Sequence, residues 1–110
     1  MIENEKIDCT DALIFGLNRT AQWREKMAVR YPSDQRNTRA AERLLRLASD
    51  AAELSDEDWS RLQPHSGWAS ESWREAISQT ARMVGFQHKI KDLPSFVSRL
   101  VEVLSQPSAA

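Results

Sequence analysis

Residues 36–54, RNTRAAERLLRLASDAAEL, decide the fold. On a helical wheel Ala40, Leu44, Leu45, Leu47, Ala48, Ala51 and Ala52 fill one half. Arg36, Arg39, Arg43 and Arg46 form a stripe on the other, at steps of three and four. A segment divided this way is an amphipathic helix with one wet side, and its alanines let a neighbouring helix come close. Ser33 or Asp34 opens it, and Arg39 can reach Glu42 and Arg46 can reach Asp50 along its surface.

Upstream, Thr10 reads as an N-cap, with Asp11 facing the positive end of the helix dipole. The helix it opens is predicted to run to Tyr31, because Pro32 disfavours helical geometry at the residue before it. Leu13, Leu17, Thr20, Ala21, Met27, Ala28 and Tyr31 share one face, flanked by Ile14 and Trp23. Phe15 and Val29 lie well outside that face. A helix wetted on one side seldom carries so much apolar surface on both, so this one is expected either to be central or to meet a partner.

Downstream, Ser55 with Asp58 resembles a capping box and opens a short helix through Leu62. After the break at Pro64, Ser66 and Gly67, a fourth helix starts near Ser66 or Ser70. It buries Trp73, Ala76, Ile77, Thr80, Met83 and Val84. Gly85 stands where a left-handed C-terminal residue is wanted, with Phe86 placed to fold back on the last turn. The last helix starts around Pro94 and buries Phe96, Val97, Leu100, Val101 and Leu104, before Pro107 ends it. The expected fold is all-α: a compact antiparallel bundle of four longer helices plus one short helix. Residues 1–9 are expected to be a flexible N-terminus, 10–106 a single helical domain, and 107–110 a flexible tail.

The bulk properties agree with this plan and exclude several functions. A chain of 110 residues supports one core without a disulfide staple. Cys9 is the only cysteine, so no intrachain disulfide can form. The charged start lacks the apolar run of a signal peptide, and no stretch is apolar for long enough to span a bilayer. A cytoplasmic protein with no membrane partner is the expectation. Eleven arginines against four lysines, with many alanines, point to a GC-rich bacterial genome. The formal net charge of -1 argues against nonspecific polyanion binding as the main task. Charge is nevertheless uneven: eight bases lie between Arg19 and Arg46, and five acids with no base between Asp50 and Asp58.

No catalytic, cofactor or metal signature stands out. His65 and His88 are far from each other and from Cys9, without metal-ligand spacing, and the three glycines form no phosphate loop. Both histidines read as surface loop residues. The arginine stripe Arg36, Arg39, Arg43 and Arg46 is a candidate anion or nucleic-acid surface, since guanidinium forks suit phosphate and carboxylate. Its bland reading is a solvated helix face. Arg24 falls in the middle of the apolar face of the first helix, where a guanidinium needs a partner. It is expected to snorkel past the core, to pair with Asp58 or Glu71, or to hold a ligand carboxylate. Four tryptophans are many for this length. Trp73 reads as core, whereas Trp59 and Trp68 either lid the bundle or, if exposed, join Phe15 and Val29 as anchors of a partner surface.

The run Thr80-Ala81-Arg82-Met83-Val84-Gly85-Phe86 resembles the A-x-x-V-G-F stretch of AraC-type helix-turn-helix regulators. In that family the alanine packs on the second helix and the glycine makes the turn. Phe96-Val97-Ser98-Arg99 echoes the F-S-R that follows there. The resemblance implies DNA binding through the C-terminal half. The interval between Phe86 and Phe96 is longer than in that motif, and Arg99 is the only base of the last helix.

The leading expectation is a non-enzymatic protein–protein interaction module whose partner is a protein, with a homodimer as one option. The alternative is a nucleic-acid-binding protein acting through the arginine stripe, or through Lys89, Lys91 and Arg99. A third reading uses Arg24 in a bundle pocket to bind a small ligand.

Overall fold

The computed structural model describes residues 2–65, 67–68, 70–86 and 90–106. They form α1 (Ile2–Arg30), α2 (Arg36–Ala51), α3 (Asp56–Leu62), a 3-10 turn at Gln63–His65, α4 (Glu71–Met83) and α5 (Leu93–Ser105), with no strand among them. This is the all-α bundle expected, four longer helices and one short one. α1 lies along α2, α4 packs against both α1 and α5, and α3 and α2 close on α5.

The buried stripe of α2 is Asn37, Ala40, Ala41, Leu44, Leu47, Ala48 and Ala51. Leu45 and Ala52, assigned to the core from the wheel, are exposed. They sit at the edge of the stripe, outside the buried residues. α2 starts at Arg36 with Gln35 as a cap that makes no side-chain bond, later than Ser33 or Asp34.

α1 departs from expectation at both ends. The expected flexible terminus is residues 1–9, yet the helix begins at Ile2 and Thr10 is interior to it. Cys9 supplies the reason. It lies on the face of Leu13 and Leu17, is fully buried with them, and so extends the apolar stripe past the apparent cap. Lys6 also reaches across to Asp56, with Nζ 3.1 Å from Oδ1. At the other end the helix stops at Arg30, and Tyr31 is exposed rather than buried. With 29 residues α1 is about 43 Å long and spans most of the 47 Å long dimension. The expected tail, 107–110, and His88 lie outside the described residues.

The other boundaries follow local chemistry. Ser55 accepts from the Asp58 amide and Ser70 from the Trp73 amide, so Ser70 is the cap of α4. Asp92 and Ser95 form a reciprocal capping box at α5, with Pro94 in its first turn. Gly85 follows α4 with φ +85°, and a Cβ there would stand 2.7 Å from Ala40 Cβ. That glycine therefore provides both the left-handed turn and the close approach of the end of α4 to α2.

Trp59 and Trp68 are not partner anchors, because both are buried. Trp68 stands edge-on to Trp73 at 4.8 Å and tilted against Trp59 at 5.4 Å, so the three indoles cover one another. Trp73 also donates its Nε1–H to the His65 carbonyl, fixing the 3-10 turn over α4. Three of the four tryptophans are thus consumed internally, as a lid, and Trp23 remains exposed.

Candidate functional site: two interaction surfaces

The first surface is the outward side of α1. Phe15 is 64% exposed and Val29 84% exposed, on roughly the same side of the helix but separated by Asn18, Gln22 and Lys26. Beside Phe15 a groove of about 550 Å³ opens between α1 and α4. Its floor is apolar, from Ala12, Gly16, Ile77 and Trp68, and its rim carries Asp8, Asp11, Arg19 and Arg74. Gly16 makes that floor possible, since a Cβ on it would come within 2.3 Å of Ile77 Cγ2. On the other side of Phe15 a shallower depression runs over Asp11, Ile14, Asn18 and Gln22. Phe15 is thus a single apolar ridge between two recesses, with Asp11 and Arg19 one helical turn away on either side.

The second surface surrounds Arg24, at the C-terminal end of α1. Among the described residues no carboxylate pairs with it directly. Asp58 pairs with Arg61 at 3.3 Å, and Glu71 is exposed. Arg24 instead snorkels to the end of the bundle. It donates from Nη1 to Asn37 Oδ1 at 3.1 Å and from Nη2 to the Arg82 carbonyl at 2.6 Å. Its guanidinium carbon stands 4.5 Å from the centre of the Trp23 ring and 4.2 Å from that of Phe86. Its Nε is buried without a partner. Burial, then the neighbouring charges of Arg82 and Arg36, draw Arg24 below the ordinary guanidinium range, while Asp34 partly opposes them. It stays charged.

Phe86 follows Gly85 with its amide donating to the Met83 carbonyl at 3.0 Å, so the chain turns back onto the last turn of α4. Phe86 lies 40% exposed under Arg24, with Arg36 on it as well at 5.1 Å. Arg36 is clamped by Asp34, Nε to Oδ1 at 3.0 Å and Nη2 to Oδ2 at 2.9 Å. Those two charge-assisted bonds, with a third from the Arg36 amide, hold the Asp34 carboxyl at a pKa of about 2.

The rest of the arginine stripe behaves differently from Arg36. Arg39, Arg43 and Arg46 are exposed and, among the described residues, form no ion pair; the expected contacts with Glu42 and Asp50 are not made. They line a groove of about 440 Å³ with Lys91 opposite, and with Glu42, Asp50 and Asp92 interspersed. Arg99 pairs with Glu102 at 2.8 Å, leaving α5 without a free base. Lys89 lies outside the described residues. Among the described residues no cluster of His, Cys, Asp or Glu has the makings of a metal site, and no helix is long and apolar enough to cross a membrane.

Comparison of the chain with protein-family models, with characterised proteins and with solved structures finds no match. Of the residues now on these surfaces, Phe15, Val29, Arg24 and the arginine stripe were visible in the sequence. Arg19 and Arg74 beside Phe15, and Trp23, Arg82 and Phe86 around Arg24, were not. Gly16, the one glycine in α1, was the only local signal for the groove.

Proposed function

We propose that the protein is a non-enzymatic protein–protein interaction module that works through the outward side of α1, and that its partner is a second copy of itself. The observation that carries this reading is Phe15, an exposed aromatic side chain standing beside a recess with an apolar floor. A ridge next to a groove on the same surface is self-complementary, so two copies can cover each other's ring.

Charge supports a second copy. If two α1 helices cross antiparallel with the two-fold axis at Phe15, Asp11 of one protomer faces Arg19 of its partner, and the pair occurs twice. Each Phe15 then enters the recess floored by the partner's Gly16 and Ile77. The usable face is about 43 Å long and one helix wide, or about 400 Å² per protomer. That is half of a standard interface, so the dimer is a weak and concentration-dependent one.

Sedimentation velocity over a concentration series tests this. The expected result is reversible self-association that Phe15→Glu abolishes and Arg19→Asp weakens. A charge-swapped pair, Arg19→Asp mixed with Asp11→Arg, restores it. A strict monomer up to about 1 mM, where even an association of about 4 kcal/mol is half complete, defeats the reading.

A further inference from the structure

The cluster around Arg24 is a different kind of surface. Trp23 and Phe86 are the aromatic rings at this end of the bundle that meet a guanidinium group from more than one arginine: Arg24 and Arg82 for Trp23, Arg24 and Arg36 for Phe86. Both rings remain about two-fifths exposed. The arrangement gathers three like charges, and the one carboxylate among them, Asp34, has both oxygens occupied by Arg36. Guanidinium groups collected in this way repel one another, and an anion laid across them relieves that repulsion. Arg24 is the fixed charge at the centre, held by Asn37 and the Arg82 carbonyl. Arg36 and Arg82 are the exposed cations on either side.

From this geometry we infer a binding site for single-stranded nucleic acid, in which Arg36 and Arg82 contact phosphates and Trp23 and Phe86 offer surfaces for bases. Single-strand surfaces combine a positive track for the backbone with aromatic rings or guanidinium planes for stacking. Both are present here. The track continues down α2, where Arg39 and Arg43 stand without ion-pair partners among the described residues, beside the groove that Lys91 closes. A duplex reader would need a protruding helix with free polar and basic side chains. α5 buries Phe96, Val97 and Leu100 and spends Arg99 on Glu102, so the nucleic-acid surface lies on α1, α2 and the end of α4. Nine residues, about two and a half helical turns, put Arg24 on the opposite side of α1 from Phe15, so this site leaves the face of Phe15 free.

The test is fluorescence anisotropy with a short fluorescein-labelled oligothymidylate at low salt, repeated as salt rises. Binding is expected, and its logarithm should fall with the logarithm of salt at a slope of about -1.4 if the two phosphates held by Arg36 and Arg82 are neutralised. Arg36→Gln and Arg82→Gln each weaken binding about tenfold and flatten that slope by about one contact. Phe86→Leu weakens it with the slope unchanged, because stacking releases no counterion. Circular dichroism of each variant separates loss of binding from loss of fold. Trp23 is the exposed tryptophan while Trp59, Trp68 and Trp73 are buried, so the oligonucleotide should quench the solvent-exposed part of the emission. That quenching disappears in Trp23→Leu. No binding at low salt overturns the proposal. So does equal binding of polyglutamate, or tighter binding of duplex that depends on Arg99 and is indifferent to Arg36 and Arg82.

Discussion

Replacing Gly16 by alanine sets two effects of known sign against each other. In an exposed helix interior the change stabilises by about 1 kcal/mol, because glycine gives up more backbone freedom on folding. Here the new Cβ stands 2.3 Å from Ile77 Cγ2 and 3.4 Å from Ile77 Cβ. Carbon atoms prefer separations of about 3.5–4.0 Å, so Cγ2 must retreat by more than an ångström. It cannot swing aside, since Ile77 is buried on α4 and a β-branched side chain in a helix has one favoured χ1. α1 and α4 must move apart. Overpacking of this sort costs about 1–3 kcal/mol, so the expected net result is a loss of about 1 kcal/mol, or a Tm lower by about 4 °C.

Ile77→Ala removes the obstructing methyl. Alone it should cost about 2–5 kcal/mol, because it empties a buried site. In that background Gly16→Ala should change sign and stabilise by about 1 kcal/mol, giving a coupling of about 2 kcal/mol between the two positions. Urea unfolding of the four proteins, followed by circular dichroism, measures the cycle. If Gly16→Ala stabilises the parent protein by its full helical gain, or the two changes add, then α1 and α4 do not approach as closely as this and the recess beside Phe15 loses its floor.

Gly85→Ala should be more damaging, about 3 kcal/mol, since it adds the strain of φ +85° to a contact of 3.0 Å with Ala40 Cα; thermal unfolding measures it. The Cys9 thiol is pushed up to about 12 by burial, so native protein at pH 8 should be silent to Ellman's reagent and react fully in denaturant. Its sign follows: a raised folded pKa favours the native state below the unfolded thiol value and loses that contribution as pH climbs toward 12, a loss that Cys9→Ala removes. Asp34 works in the opposite sense. Its folded pKa of about 2 lies below the unfolded value, so its contribution is present above about pH 3.9 and is lost between there and about pH 2. Acid unfolding of Asp34→Asn, which lacks that titration, should therefore differ from the parent above this window and converge with it below.

The interior was legible because it is periodic. Leu44, Leu47, Ala48 and Ala51 fall on one stripe whatever the rest of the chain does, and Ser55, Ser70 and Gly85 act on their own helix ends. The errors came where a distant element decided. Thr10 offers a good cap, yet Cys9 buries one turn earlier and the helix continues through it. Leu45 was assigned inward because the wheel shows which side is apolar, not how much of that side a neighbour covers. Trp59 and Trp68 can be read as lid or as anchor, and it is their burial, with Trp68 packed between Trp59 and Trp73, that makes them lid. The Arg24 cluster joins residues 23, 24, 34, 36, 82 and 86, a juxtaposition no local pattern encodes. The sequence revealed only that Arg24 needed company.

Exposure alone does not make Phe15 and Val29 equivalent. More than half of any folded protein's surface is apolar, so an isolated valine among Gln22, Lys26 and Arg30 requires no explanation. Phe15 differs through its surroundings. The recess at its side exists because a glycine holds α1 close to Ile77, and its rim alternates acid and base about the ring. A helix selected only to cover a core could carry alanine at position 16 if a smaller residue stood at position 77. Glycine there gives up about 1 kcal/mol of helical stability and leaves a hollow that none of the described residues fills. That local loss sits beside the most exposed aromatic ring of the molecule, and it is the coincidence of the two, rather than either alone, that directs the contact reading to this part of α1.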